Sequence, residues 1–193
     1  MAPERTTQSE PGSAKPPRRS RVLRRYFPDD WKRSLGLGLV ASVGYAGSFP
    51  PIGLWPLVVL PVWATIRAAD HASKDDSTRP LPSGLWFAIG TVPAFAWLTR
   101  WAAESAIAGY PLLVLYLAGF AGLAVWAVGR VRRRLPMIPA AVAVPVVWVG
   151  VEAFRGLLAF DGFPWFLAEH PLIDTYFAAP AGIAGVWLVA LLL

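Results

Sequence analysis

Few side chains in this sequence can do chemistry, and most of those that can cluster late in the chain. Glu152 stands inside the apolar run of residues 146–154, and Arg155 follows three residues later on the same helical face. A charge in such a run is costly unless it is paired or close to an interface, so Arg155 is the expected partner of Glu152. Two roles are open to that pair: a local ion pair near the headgroups, or a device that positions a lipid head group or a catalytic domain docked above. Gly156 closes the block. After a short spacer, Gly162, Phe163, Pro164 and Trp165 combine a flexible residue, a rigid one and two large rings. They suit an interfacial turn anchored by Trp165, and equally the lip of a lipid-binding cleft with Trp165 against an acyl chain or an adjoining domain.

Other chemistry has less support. Glu169 beside His170 suggests an acid–base pair, but adjacent residues do not face each other on a helix and no nucleophile is placed with them. His71 lies in a polar stretch and is expected to be a solvated loop histidine. There is no cysteine, which excludes disulfides, thiolate metal sites and a cysteine nucleophile within these residues. The two histidines are far apart, and no glycine-rich phosphate loop or metal-ligand spacing appears. The residues call for no metal and no cofactor, and by themselves they name no catalytic residue.

The elements that must hold these residues are apolar. Hydrophobic residues make up 55% of the chain and charged residues 16%, against about a quarter charged in soluble domains. Residues 1–33 hold nine Lys/Arg and four Asp/Glu, leaving nine and eight for the rest, so the net charge of +6 comes almost entirely from this leader. A basic flank before an apolar segment orients a membrane protein, and no nucleic-acid partner is expected. Residues 1–33 therefore form a disordered cytoplasmic tail. They are too long for the basic start of a secretory signal, and a second apolar segment follows where a polar mature domain would begin.

Six apolar segments follow, over residues 35–49, 54–69, 84–98, 110–129, 138–158 and 178–193. Pro50, Pro51, Ile52 and Gly53 make the first two a tight hairpin. Gly36, Gly38, Gly44 and Gly47 allow a neighbouring helix close approach, and Pro93 predicts a kink. Trp97 and Trp101, four apart, share a helical face and read as interface anchors. The expected fold is all-α, a polytopic membrane bundle over residues 34–193. Basic residues test the topology: connections 67–82 and 130–136 carry three and four, whereas 50–53, 99–109 and 155–177 carry none, Arg100 and Arg155. The bias puts the first two connections in the cytoplasm and residues 155–177 on the periplasmic side.

Three blocks resemble the N-terminal membrane part of the apolipoprotein N-acyltransferases: residues 49–57 (FPPIGLWPL), residues 109–116 (GYPLLVLY), and Glu152-Ala153-Phe154-Arg155-Gly156 followed by Gly162-Phe163-Pro164-Trp165. The resemblance covers roughly residues 35–193. It implies a protein of the bacterial inner membrane whose family moves an acyl chain from a phospholipid donor to the N-terminal cysteine amine of a diacylated lipoprotein. The family's catalytic Glu, Lys and Cys lie in a nitrilase-like domain absent from these residues, so activity is not expected of this chain alone. Glu152, Arg155, Gly156, Phe163, Pro164 and Trp165 fall on the family's membrane-side motif, as candidates to bind lipid or support that domain. The sequence departs from the family after Trp165, where Phe166-Leu167-Ala168-Glu169-His170 replaces a Gly-Tyr-Ser-Gln type of continuation. Ending at Leu193, inside the sixth segment, it is expected to be a truncated or split member. A scaffold docking a separately encoded nitrilase-like subunit is the alternative, and a small transporter a weaker one.

Overall fold

The computed structural model describes residues 31–74, 80–135 and 140–193. Residues 1–30, nearly all of the expected tail, lie outside the described residues. Every regular element among the described residues is helical: α1 (Trp31–Ser48), α2 (Val59–Lys74, entered through a 3-10 turn at Trp55–Val58), α3 (Pro80–Leu98), α4 (Trp101–Ser105), α5 (Tyr110–Arg134), α6 (Ala140–Ala153), α7 (Ala181–Ala184) and α8 (Val186–Leu192). Two of them, residues Leu81–Leu98 within α3 and Tyr110–Arg134, are long and apolar enough to cross a membrane. Their 18 and 25 residues span about 27 and 37 Å at 1.5 Å per residue, against a hydrocarbon core of about 30 Å. The other expected segments are shorter or less apolar helices. The last is broken in two at Gly185, whose φ of +70° ends α7.

α1 packs most extensively on α3, and α3 on α5, with α2 against α1 and α5, and α6 between α5 and α8. Apolar residues fill this interior, among them Ala41, Phe87, Leu117 and Val125, yet Leu39, Val43, Leu85, Leu112 and Leu115 face outward. A helix apolar all round is suited to lipid on its outer side.

Glycine sets the helix spacing, as the small residues predict. Gly84 on α3 faces Gly122 on α5 so closely that a methyl group built on either would lie 2.5 Å from the other's carbonyl oxygen. Gly38 on α1 and Gly90 on α3 meet as closely, a methyl group on Gly90 lying 2.5 Å from the Leu35 carbonyl oxygen and 2.7 Å from the Gly38 Cα. Backbones can meet like this only where no Cβ intervenes. α3 passes through Pro93 as one helix. Ser42 of α1 serves the backbone there, its hydroxyl donating to the Gly90 carbonyl (2.8 Å) and accepting from the Ala94 N–H (3.4 Å). Proline removes one ladder bond, and a neighbouring hydroxyl can satisfy the polar groups left open.

The bundle has two distinct ends. At one, Arg132 pairs with Asp70, and Arg133 donates to the Ala72 carbonyl, tying α5 to α2. At the other, Phe49 meets Phe166, Trp55 meets Phe177 and Trp101 meets Trp165. We call these the arginine end and the loop end.

Four expectations need correction. The first helix begins at Trp31, inside the stretch given to the tail. Part of the expected hydrophilic loop 67–82 is helical, α2 continuing to Lys74 and α3 starting at Pro80, while residues 75–79 lie outside the described residues. His71 is therefore a half-buried helical residue and not a solvated one, because α2 is held along this length by α5. Trp97 and Trp101 belong to different helices: α3 stops at Leu98, Arg100 stacks over Trp97 at 4.1 Å, and Trp101 opens α4.

The close helix crossing is testable. Gly122→Leu should lower the thermal unfolding temperature in detergent by the equivalent of about 1–3 kcal/mol, since overpacking forces the helices apart. Gly119→Leu, where an added Cβ meets no atom within 4 Å, should melt close to the wild type.

Candidate functional site

At the loop end α6 does not simply stop. Its last turn widens into a π turn over Phe154–Leu158, and Ala159 closes it by donating to the Phe154 carbonyl. Such a bulge re-aims the chain. A 3-10 turn at Ala159–Asp161 follows, and Gly162 at φ +89° reverses the direction. The reversal lays Gly162 against Gly156: a Cβ on Gly162 would stand 2.5 Å from the Gly156 carbonyl oxygen. The Phe163 N–H then donates to the Arg155 carbonyl at 3.0 Å. Gly156 itself is buried, with Pro164 and Trp187 over it.

The returning strand of chain is held by the two charged residues that the sequence singles out. Arg155 is 5% exposed and donates to the carbonyls of Trp165 (2.7 Å) and Phe166 (3.4 Å). Glu152 is 6% exposed and accepts the Ala168 N–H at 3.0 Å. The expected direct ion pair between them is not formed; each spends its hydrogen bonds on the backbone of residues 165–168. The reason is geometric. Once the chain folds back over the end of α6, its unpaired carbonyls and amide must be satisfied where water is scarce, and the two side chains are the polar groups within reach. Phe166 sits at φ +57°, a strained conformation for a bulky residue, and the Arg155 bond to its carbonyl helps hold it there.

All six candidate residues are thus brought together. Glu152, Arg155 and Gly156 form the buried base. Phe163 turns inward onto the core and stacks edge-on to Tyr116 at 6.0 Å, while Pro164 and Trp165 remain exposed above it. Trp165 is 55% exposed and lies 5.9 Å from Trp101, itself 45% exposed, so two indoles share one outward rim.

Three further residues join them, two of which the sequence reading did not single out. Tyr45 of α1 and Trp148 of α6 line, with Glu152, Arg155 and Phe166, a small cavity of about 30 Å³. Trp148 is one helical turn before Glu152, a spacing that could have flagged it. No sequence signal brings in Tyr45, one hundred residues away. The third is Glu169, which the sequence offers only as an acid–base partner of His170 and which is 2% exposed. Burial raises its pKa above the ordinary carboxylate value, against the lowering effect of a backbone hydrogen bond and of the Arg155 guanidinium. Burial, and then Arg155, lower the pKa of the neighbouring His170. Two buried carboxyl groups around one guanidinium leave the pocket one positive charge short, which favours a proton on an acid.

Residues 41–193 match the family described as the apolipoprotein N-acyltransferase N-terminal domain. Among curated proteins named apolipoprotein N-acyltransferase, that of Pseudomonas putida is 31% identical over 170 residues, covering 83% of this chain and 32% of its own length. Those of Pseudomonas syringae pv. tomato and Azotobacter vinelandii are each 29% identical, with the same coverage. The chain spans about a third of the length of these relatives.

Two measurements test the geometry. Arg155→Ala strands two carbonyls and leaves the carboxylates without their cation, so stability should fall by about 3–5 kcal/mol, with amide exchange accelerating first at residues 162–168. Arg155→Lys, with one ammonium for two carbonyls, should restore only part of that loss. For Glu169 the sign follows from its raised pKa: the folded state holds the proton more tightly than the unfolded chain, so its contribution is present at acid pH. That contribution should be lost as pH rises above the ordinary carboxyl value of about 4.3. Glu169→Gln should flatten this alkaline-side loss in melting curves, and His170→Gln should leave it in place.

Proposed function

Because this chain belongs to the apolipoprotein N-acyltransferase family through its N-terminal domain, we propose that it is the membrane platform of such an enzyme. It would cross the bacterial inner membrane as about six segments, with the arginine end in the cytoplasm and the loop end facing the periplasm. The whole protein would move an acyl chain from a phospholipid to the N-terminal cysteine amine of a diacylated lipoprotein. These 193 residues contain no cysteine, so a thiol that first takes the acyl group cannot be theirs. Their part is to seat the catalytic domain and keep its substrates in register.

The observation that carries this reading is the fold-back at residues 152–168. Two buried charged side chains hold that segment, and its outward Trp165 lies beside Trp101 of α4. An indole on a rigid, hydrogen-bonded base loses little freedom when a partner or acyl chain covers it, which is what a docking rim requires. A transporter is disfavoured by the same residues. The buried charges among the described residues, Glu152, Arg155 and Glu169, all sit at the loop end, and a polar path through a bilayer would need them at depth.

The test is lipoprotein N-acylation, read by mass spectrometry of the lipoprotein's N-terminal peptide in cells depleted of their own acyltransferase. The chain alone should give no N-acylation, and detectable acylation would defeat the argument from the missing thiol. A chimera in which the chain replaces the matching N-terminal third of the Pseudomonas putida relative should restore it. In that chimera Trp165→Ala should lower acylation by about tenfold or more, through misplacement of the reacting groups. Restoration by the remaining two thirds of the relative supplied as a separate polypeptide would instead support a scaffold for a separate subunit.

A further inference from the structure

An outward-facing groove runs between α3 and α5 on the half of the bundle nearer the arginine end. Gly84, Gly119 and Gly122 form its floor, and Leu81, Leu85 and Trp126 stand along its walls around a volume of about 370 Å³. Leu81 and Leu85 are exposed, so the groove opens away from the core. It exists because α3 and α5 touch backbone to backbone at Gly84 and Gly122, where no side chain fills the surface.

The groove leads to charge. On α5, Gly119, Gly122, Trp126, Arg130 and Arg134 follow one another at three- or four-residue spacing, which keeps them on one helical face. From Gly119 to Arg130 is roughly 16 Å along the helix axis. The intervening arginines point elsewhere: Arg132 pairs with Asp70 and Arg133 donates to the Ala72 carbonyl, both on α2. Arg130 and Arg134 are exposed. An apolar groove therefore lies on the same helical face as two exposed arginines one turn apart.

We propose that this face binds one anionic phospholipid of the inner leaflet, an acyl chain lying along the glycine floor and the phosphate held by Arg130 and Arg134. Guanidinium forks match phosphate oxygens in pairs. A zwitterionic head group would carry its own cation into the same field, so the site favours lipids of net negative charge. A second copy of the chain is a poorer occupant. Inserted in the same orientation, it would bring its own arginine end alongside these arginines, a like-charge contact. The site lies at the opposite end of the bundle from Glu152, Arg155 and Trp165. It rests on the membrane reading above, with the arginine end in the cytoplasm.

The experiment uses the whole chain reconstituted into vesicles containing phosphatidylglycerol and phosphatidylcholine with identical acyl chains, followed by native mass spectrometry of the lipids retained. Phosphatidylglycerol should be retained in preference. Arg130→Gln with Arg134→Gln should lower that retention roughly tenfold or more. Gly119→Leu puts a side chain into the groove at a position where its Cβ meets no other atom within 4 Å, and should lower retention of the tightly held lipid while melting close to the wild type. An unchanged preference in the double arginine variant overturns the proposal, as does unchanged retention in Gly119→Leu. A two-chain species that Gly119→Leu dissolves would assign the groove to a second copy and likewise overturn it. Failure to enter vesicles overturns the membrane reading and this one together, whereas entry with no lipid preference overturns this one alone.

Discussion

The loop end depends on one buried guanidinium. Arg155 sits almost out of contact with solvent, and its donors go to the carbonyls of Trp165 and Phe166. Desolvating an arginine costs several kcal/mol, and the cost is offset only if its donors find acceptors and its charge finds a countercharge. Both conditions are met by the chain's own return path, with carbonyls on one side and the Glu152 and Glu169 carboxyl groups nearby. Remove the cation and the π turn, the Gly162 reversal and the left-handed Phe166 lose the bonds that make them mutually consistent. The exposed rim of Trp165 and Trp101 is then no longer fixed relative to the bundle.

The bundle below is assembled by a different force. Where lipid surrounds a helix, burying leucine against leucine gains little, and association relies on close backbone contact and on the few hydrogen bonds that helices can exchange. Gly38 with Gly90, Gly84 with Gly122, and Ser42 across the Pro93 interruption supply these contacts to α1, α3 and α5. At the arginine end, Asp70 and the Ala72 carbonyl bind α5 to α2. The chain thus keeps its charged groups at the two ends and leaves the middle to glycine, alanine and hydroxyls. A rigid middle lets the loop end present a fixed surface.

Much of this was legible residue by residue. The runs at 84–98 and 110–129 lie inside α3 and α5, and Pro50 to Gly53 do turn α1 back onto α2. The motif residues Glu152, Arg155, Gly156, Phe163, Pro164 and Trp165 converge as their grouping suggested. Other readings failed for reasons that are physical. Polar composition suggested a loop at His71, but helix α2 persists there because Arg132 and Arg133 reach across to it. Spacing paired Trp97 with Trp101, but the helix ends between them.

What the sequence determined by itself is local and compositional: helical segments, their small-residue faces, the uneven basic residues and the motif that marks the family. These follow from periodicity and residue chemistry, which need no knowledge of distant neighbours. Only the tertiary structure decided how the charges are spent. Glu152 and Arg155, one helical turn apart, looked like partners for each other, yet each bonds the backbone ten or more residues onward. Tyr45 and Glu169 joined them only through folding. A buried polar group bonds whatever unsatisfied group the fold brings within reach, and that choice is set in three dimensions, where sequence spacing does not measure distance.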